Sequence, residues 1–144
     1  MSKQLSEHSK DIEEIRQQAG VDERIVLVSG NFNTIHPGHL RLLSFAAECG
    51  NFLVVAIADD QEDGVLVPAG LRLQGVKSLS FVDHAFVLQG PPEQLIRQLL
   101  PDIVVKGKEH EAKANEEQAA VESYGGKLIF SSGEMRFSSI DLLK

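Results

Sequence analysis

The stretch SGNFNTIHPGHLRLL, residues 29 to 43, sets His36 and His39 three positions apart, with Gly30 ahead of them and Gly38 between them. It follows the aliphatic run RIVLVSG (24–30) and leads into apolar residues at helical spacing. A helix mouth carries unpaired N–H groups and the positive end of the helix dipole, so it is a ready site for phosphate. Imidazole N–H donors placed there suit oxygens that gain charge as a phosphorus centre becomes pentacoordinate. Glycines at 30 and 38 would let the backbone approach such a ligand closely. A lone histidine at this place reads as a solvated loop or helix-start residue. Two of them around a glycine, directly after a strand, favour the phosphate reading. The spacings of the P-loop and of the dinucleotide fingerprint are both absent.

These residues need elements to position them. Buried strands are expected at 24–30, 51–60, 84–90, 102–107 and 127–133, where apolar runs end in glycine, turn residues or charge. Helices are expected between them at 37–50, 67–80, 91–101 and 112–126, with proline at the starts of 37–50 and 91–101 and glycine at the stops of 37–50 and 112–126. Strands apolar throughout, with helices between them, mean an α/β fold. The expected form is a Rossmann-like, doubly wound parallel sheet of five strands with helices on both faces. Such sheets bind ligands beyond the carboxyl ends of the strands, near the topological switch point. Residues 29–43 fall there. LSEHSKDIEEIRQQAG (5–20) reads as a further helix, capped by Ser6 or Ser9 and stopped by Gly20. It is expected outside the main fold, so that 1–23 form a helical extension and 24–144 the domain. The last stretch, RFSSIDLLK, looks like a loop entering a helix that is cut off.

The 144 residues suit one compact domain, and a net charge of −7 argues against general attraction to nucleic acid or a membrane surface. An anionic ligand would need a local basic pocket against that field. Cys49 is the single cysteine, so no intrachain disulfide forms, which fits a reducing cytoplasm. The polar, acidic N-terminus is no signal peptide, and no apolar run approaches a membrane span.

GNFNTIHPGH (30–39) resembles the G-x-F-D-x-x-H-x-G-H signature of the cytidylyltransferase-like nucleotidylyltransferases. The resemblance continues in order through HPGHLRLLSFAAECGNFLVVAIADD (36–60), FVDHAFVL (81–88), PDIVVKGKEH (101–110) and YGGKLIFSSGEMRFSSIDLLK (124–144). In style it is nearest the heptose-phosphate and glycerol-phosphate branch. The resemblance implies transfer of CMP or AMP from CTP or ATP to a small phosphorylated sugar or polyol, with loss of pyrophosphate. Mg²⁺ would arrive with the nucleotide. By the same resemblance, His36 and His39 stabilise the transferring phosphorus. Gly30, Asn31, Phe32 and Gly38 cradle the nucleotide through the backbone, with Lys106 and Arg136 near it. Ser138 and Ser139 hold the outer phosphates, although simple N-capping is their plainer role. Arg41, Asp60 and Arg72 are weaker candidates on the substrate side, and for each basic residue a solvated surface charge is the alternative.

The chain departs from the family pattern at Asn33, where an aspartate is usual, and at Ile140, Lys108 and His110. The segment QEDGVLVPAG (61–70) is short and acidic where many relatives carry lysine or arginine. Two functions of different class therefore stay open: an active nucleotidylyltransferase, and a nucleotide-binding module that has lost catalysis. Some relatives are fused to a sugar kinase, and this chain is expected to be such a domain. Whether it forms a homodimer is left open.

Overall fold

Side chains alternate across the central strands and so divide the core in two. On β1 (Ile25–Gly30), Leu27 packs into one buried cluster, while Val26 and Val28 pack into another. The computed structural model describes residues 2–131. After β1 come α2 (Pro37–Glu48), β2 (Phe52–Ile57), α3 (Ala69–Lys77), β3 (His84–Val87), α4 (Pro92–Leu99) and β4 (Ile103–Gly107). A 3₁₀ turn (Lys108–Lys113), α5 (Asn115–Glu122) and β5 (Lys127–Ser131) complete the order, and α1 (Ser2–Gln18) precedes β1. The five strands form one sheet in the order β3-β2-β1-β4-β5, and every pairing is parallel. This is the Rossmann-like arrangement expected from the sequence. The strand order reverses between β1 and β4, which makes their carboxyl ends the switch point.

Both faces of the sheet are covered. Leu43 and Ala46 of α2 and Val76 of α3 join the cluster of Val26, Val28, Leu53 and Val55. Leu95, Ile96 and Leu99 of α4, with Ala120 and Val121 of α5, join the cluster of Leu27, Val54 and Val104. β2 is buried at all six positions, which is why it reads as an unbroken apolar run. The single helix expected over 112–126 is instead the 3₁₀ turn followed by the shorter α5. The terminal helix expected from RFSSIDLLK lies outside the described residues. Among the described residues no helix is long and apolar enough to cross a membrane.

The N-terminal helix, expected outside the main fold, is part of it. Ile15 of α1 and Ala19, just past its end, lie in the core cluster of Leu27, with Ile12 packed against it. His8 is buried, and its Nε2 accepts the Gln89 N–H at 3.0 Å. Asp11 Oδ1 lies 2.9 Å from His84 Nε2, and Arg16 donates to the Gln98 and Leu99 carbonyls at the end of α4. The polar composition concealed this because three small or aliphatic residues make a stripe too narrow to stand out.

If α1 belongs to the core, Ile15→Ala leaves a cavity and costs about 2–5 kcal/mol in urea unfolding. Val21→Ala, at a fully exposed position, stays within about 0.5 kcal/mol of the parent. A loss at Ile15 as small as that at Val21 would make α1 an appendage.

Candidate active site

Past Gly30 the chain makes a tight turn through Asn31 and Phe32. Phe32 adopts a left-handed φ of 51° although it is bulky and almost fully buried. Its ring folds back over Gly30, where a Cβ would lie 3.0 Å from Phe32 Cε2. Such a conformation persists only where neighbours over-determine it. One of them is Arg72 of α3, whose Nη1 donates to the Asn31 carbonyl at 3.0 Å.

The turn delivers His36 to the N-cap of α2. Its Nδ1 accepts the Gly38 N–H at 3.0 Å, and His39 Nδ1 reaches back to the His36 N–H at 3.4 Å, closing a reciprocal capping box. The two rings stack with centroids 3.8 Å apart, and His39 also tilts against Phe32 at 5.4 Å. Because each Nδ1 is an acceptor, each neutral ring carries its proton on Nε2. The mouth of α2 thus presents two fixed Nε2–H donors. Gly38 serves this cap: a Cβ there would sit 2.8 Å from His36 Cε1. The missing side chain makes room for the His36 ring.

Beside this mouth lies a cleft of about 930 Å³. It is lined by the ends of β1 and β4 (Ser29, Gly30, Lys106, Gly107), by Asn31 to Thr34, and by His39. Pro91 to Glu93 at the start of α4 and Glu116 and Glu117 of α5 also line it. His36 is exposed and does not line the cleft; it bears on it through His39. Asp59, Glu62, Glu93, Glu116 and Glu117 face the cleft, against Lys106 as the single lysine or arginine among its described lining residues. Lys106 is itself buried, with Nζ 3.1 Å from Glu117 Oε1 and 3.4 Å from Ser29 Oγ. The cation expected to face a phosphate already has a carboxylate beside it.

The substrate-side candidates are placed differently from expectation. Arg72 is 2% exposed and outside the cleft lining. Its Nε donates to the Val67 carbonyl at 2.6 Å and its Nη2 pairs with Asp60 Oδ1 at 2.9 Å. Arg72 and Asp60 therefore hold each other and tie the β2–α3 loop to the Asn31 turn. Arg41 is half-buried on α2 and does not line the cleft. Asn33, which the family pattern marks as a lost charge, is a staple. Its amide nitrogen donates to the Gly64 carbonyl at 2.7 Å, while Oδ1 accepts the Leu66 and Val67 N–H groups at 2.7 and 3.2 Å. An aspartate could make the last two bonds but not the first. The lone Cys49 sits at the C-cap of α2, and burial followed by the nearby Glu48 charge raises its thiol pKa, away from nucleophilic thiolate.

His110, a departure from the family pattern, does line the cleft. Glu117 was not foreseen, since NEEQ reads as an exposed acidic helix start. Arg136, Ser138, Ser139 and Ile140 lie outside the described residues.

A parallel sheet with a histidine-capped helix at its switch point defines this chain as a Rossmann-like domain. The sequence pattern described as cytidylyltransferase-like matches residues 27–131, and the chain belongs to that family. It is similar to the bifunctional protein HldE of Chromohalobacter salexigens, 32% identical over 148 aligned residues, covering 95% of this chain and 31% of that protein. The HldE of Desulfatibacillum aliphaticivorans is 27% identical, covering 99% of this chain and 30% of that protein. The chain thus spans under a third of the length of these curated relatives. Among solved structures, a lipopolysaccharide core biosynthesis protein from Thermoplasma volcanium superposes with a TM-score of 0.68 at 24% identity, covering 76% of this chain and 97% of that one. A pantoate–β-alanine ligase from Francisella tularensis superposes at 0.62 with 16% identity, covering 85% and 64%. These two likenesses concern the fold.

Asn33→Asp removes the donor to Gly64 and sets a carboxylate oxygen against its carbonyl. The expected loss is about 1–3 kcal/mol in unfolding, with faster proteolysis within residues 60–67. A variant as stable and as protease-resistant as the parent would show that the staple carries nothing.

Proposed function

We propose that this domain is a nucleotidylyltransferase that moves CMP or AMP from CTP or ATP onto the phosphate of a small sugar or polyol. The observation that carries the proposal is the reciprocal histidine cap, which fixes two Nε2–H donors at a helix mouth beside the cleft. Family membership and the similarity to HldE proteins support the same reading. A phosphate oxygen of the acceptor attacks the α-phosphorus in line, the bond to the β-phosphate oxygen breaks, and pyrophosphate leaves. His39 donates to the oxygens that gain charge, while His36 holds its ring in register by cap and stack and adds a second donor. The backbone from Gly30 to Phe32 borders the nucleotide. Arg136, Ser138 and Ser139 are the proposed holders of the outer phosphates.

The carboxylates of the cleft are the hard oxygen donors that Mg²⁺ takes. An ion carried in by the triphosphate would be touched by Asp59 or Glu62. Mg²⁺ would neutralise the phosphate charge that these acids otherwise repel. The lengths of the HldE relatives favour one domain of a larger bifunctional protein.

The second reading is a nucleotide-binding module without turnover, and the excess of carboxylates over cations in the cleft favours it. Pyrophosphate release from CTP or ATP with Mg²⁺, screened over sugar and polyol phosphates, separates the two. On the enzyme reading, His39→Ala folds normally and lowers kcat roughly 100- to 1,000-fold, about 3–4 kcal/mol, with a smaller change in KM for the nucleotide. A parent protein that binds nucleotide but releases no pyrophosphate with any acceptor would select the module.

A further inference from the structure

Away from the cleft, three side chains among the described residues bring their donor atoms together as metal ligands do. Asp11 and Glu14 stand three positions apart on α1 and so share a face of that helix. His84, the first residue of the edge strand β3, meets them from the sheet. One oxygen of each carboxylate and a ring nitrogen of His84 all lie within 4.8 Å of one another, and all three residues are half-buried. The group sits at the amino end of β3, whereas the cleft opens beyond the carboxyl ends of the strands, so the transfer chemistry does not use it. Asp11 and Glu14 also precede residues 27–131, the part that carries the family pattern.

Charge and geometry both call for a cation. Two carboxylates face a single imidazole. His84 Nε2 is 2.9 Å from Asp11 Oδ1, which leaves Glu14 with no ion-pair partner among the described residues. Arg16, two positions past Glu14, donates to the Gln98 and Leu99 carbonyls, and the exposed Lys10 pairs with neither acid. A dication with ligand bonds of about 2.0–2.2 Å needs its donors roughly 3.3 Å apart at tetrahedral angles. The Asp11–His84 edge is close to that, and the flexible Glu14 side chain closes the rest. An imidazole selects Zn²⁺ over Mg²⁺ or Ca²⁺, which take oxygen donors. One imidazole with two carboxylates is a zinc-type set whose shell water completes.

We propose that Asp11, Glu14 and His84 bind one Zn²⁺ ion that fastens α1 to the edge of the sheet. His84 ligates through Nε2, so the proton that Nε2 shares with Asp11 leaves that atom. An imidazolium gives it to solvent, and a neutral ring carries it on Nδ1 instead. Two carboxylates and a neutral imidazole then balance the two charges of the ion. Ile12, Ile15 and Ala19 seat this segment against the core by apolar contact, so the ion tightens a helix that docks without it.

Titration of zinc chloride into the chelator-treated protein, without nucleotide, tests the site by calorimetry and thermal unfolding. The parent takes up one ion per chain at micromolar concentration, unfolds at a higher temperature with it, and keeps it in millimolar Mg²⁺. Glu14→Gln leaves the His84–Asp11 bond in place, so without metal it unfolds like the parent, yet its affinity for zinc falls by at least about tenfold. Glu13→Gln, at an exposed position of the same helix, binds zinc as the parent does. His84→Gln loses the ion as well, which separates this site from the stacked His36 and His39 rings. A parent that takes up no zinc at that concentration or yields it to Mg²⁺, or either of the Glu14 and His84 variants binding zinc as tightly as the parent, would overturn the site. Neither result bears on the transfer reaction, which the inference does not rest on.

Discussion

A helix that begins with proline and glycine has little of its own with which to start, and α2 starts because the His36 ring accepts the Gly38 N–H. That bond fixes more than a helix end. It sets the His36 tautomer, demands glycine at 38, and brings the ring flat against His39. His39 returns a bond to the His36 backbone and is held in the cleft lining. The spacing of the two histidines is that of a capping box, with imidazoles in the places of the usual serine and glutamate. One arrangement thus does the structural work of a cap and presents two N–H donors where charge would develop on a phosphorus centre.

The cap depends in turn on the loops around it. Arg72 is removed from water, which is tolerable because three oxygens, from Val67, Asn31 and Asp60, receive its N–H groups. With Asn33 and with Asn31, whose amide donates to the Asp63 carbonyl, it joins the β2–α3 loop to the turn that holds Phe32 in its left-handed conformation. The loop carries no cation to the cleft, so the site is preorganised in shape and acidic in charge. Such a site suits phosphates that bring their own counter-ion.

Much of the fold was legible because the sheet is buried on both faces. Unbroken runs such as FLVVAI can only be interior strands, and the glycines and prolines between them mark the helix ends. The histidine pair was legible because its spacing and its place after β1 are local. What escaped depends on contacts between distant segments. Asn33 looked like a missing carboxylate until Gly64, 31 positions on, supplied the carbonyl it donates to. Arg72 looked like a ligand cation because sequence does not reveal burial. The burial of Glu117 was not legible because its charge partner comes from β4, beyond the reach of helical periodicity. The stripe on α1 was too narrow to be read without the sheet it covers.

The central claim is that the His36–His39 cap aims two Nε2–H donors at nucleotide phosphate. Nitrogen-15 shifts of the histidine rings, recorded at mildly alkaline pH with and without a non-hydrolysable Mg²⁺–nucleotide, test it directly. His8, whose Nε2 accepts the Gln89 N–H, is an internal reference with the opposite tautomer. The account predicts the Nε2–H form for His36 and His39, the Nδ1–H form for His8, and a nucleotide-dependent shift at Nε2 of the pair but not at His8. An Nδ1–H form at either member of the pair, or Nε2 signals unmoved by saturating nucleotide, would contradict it.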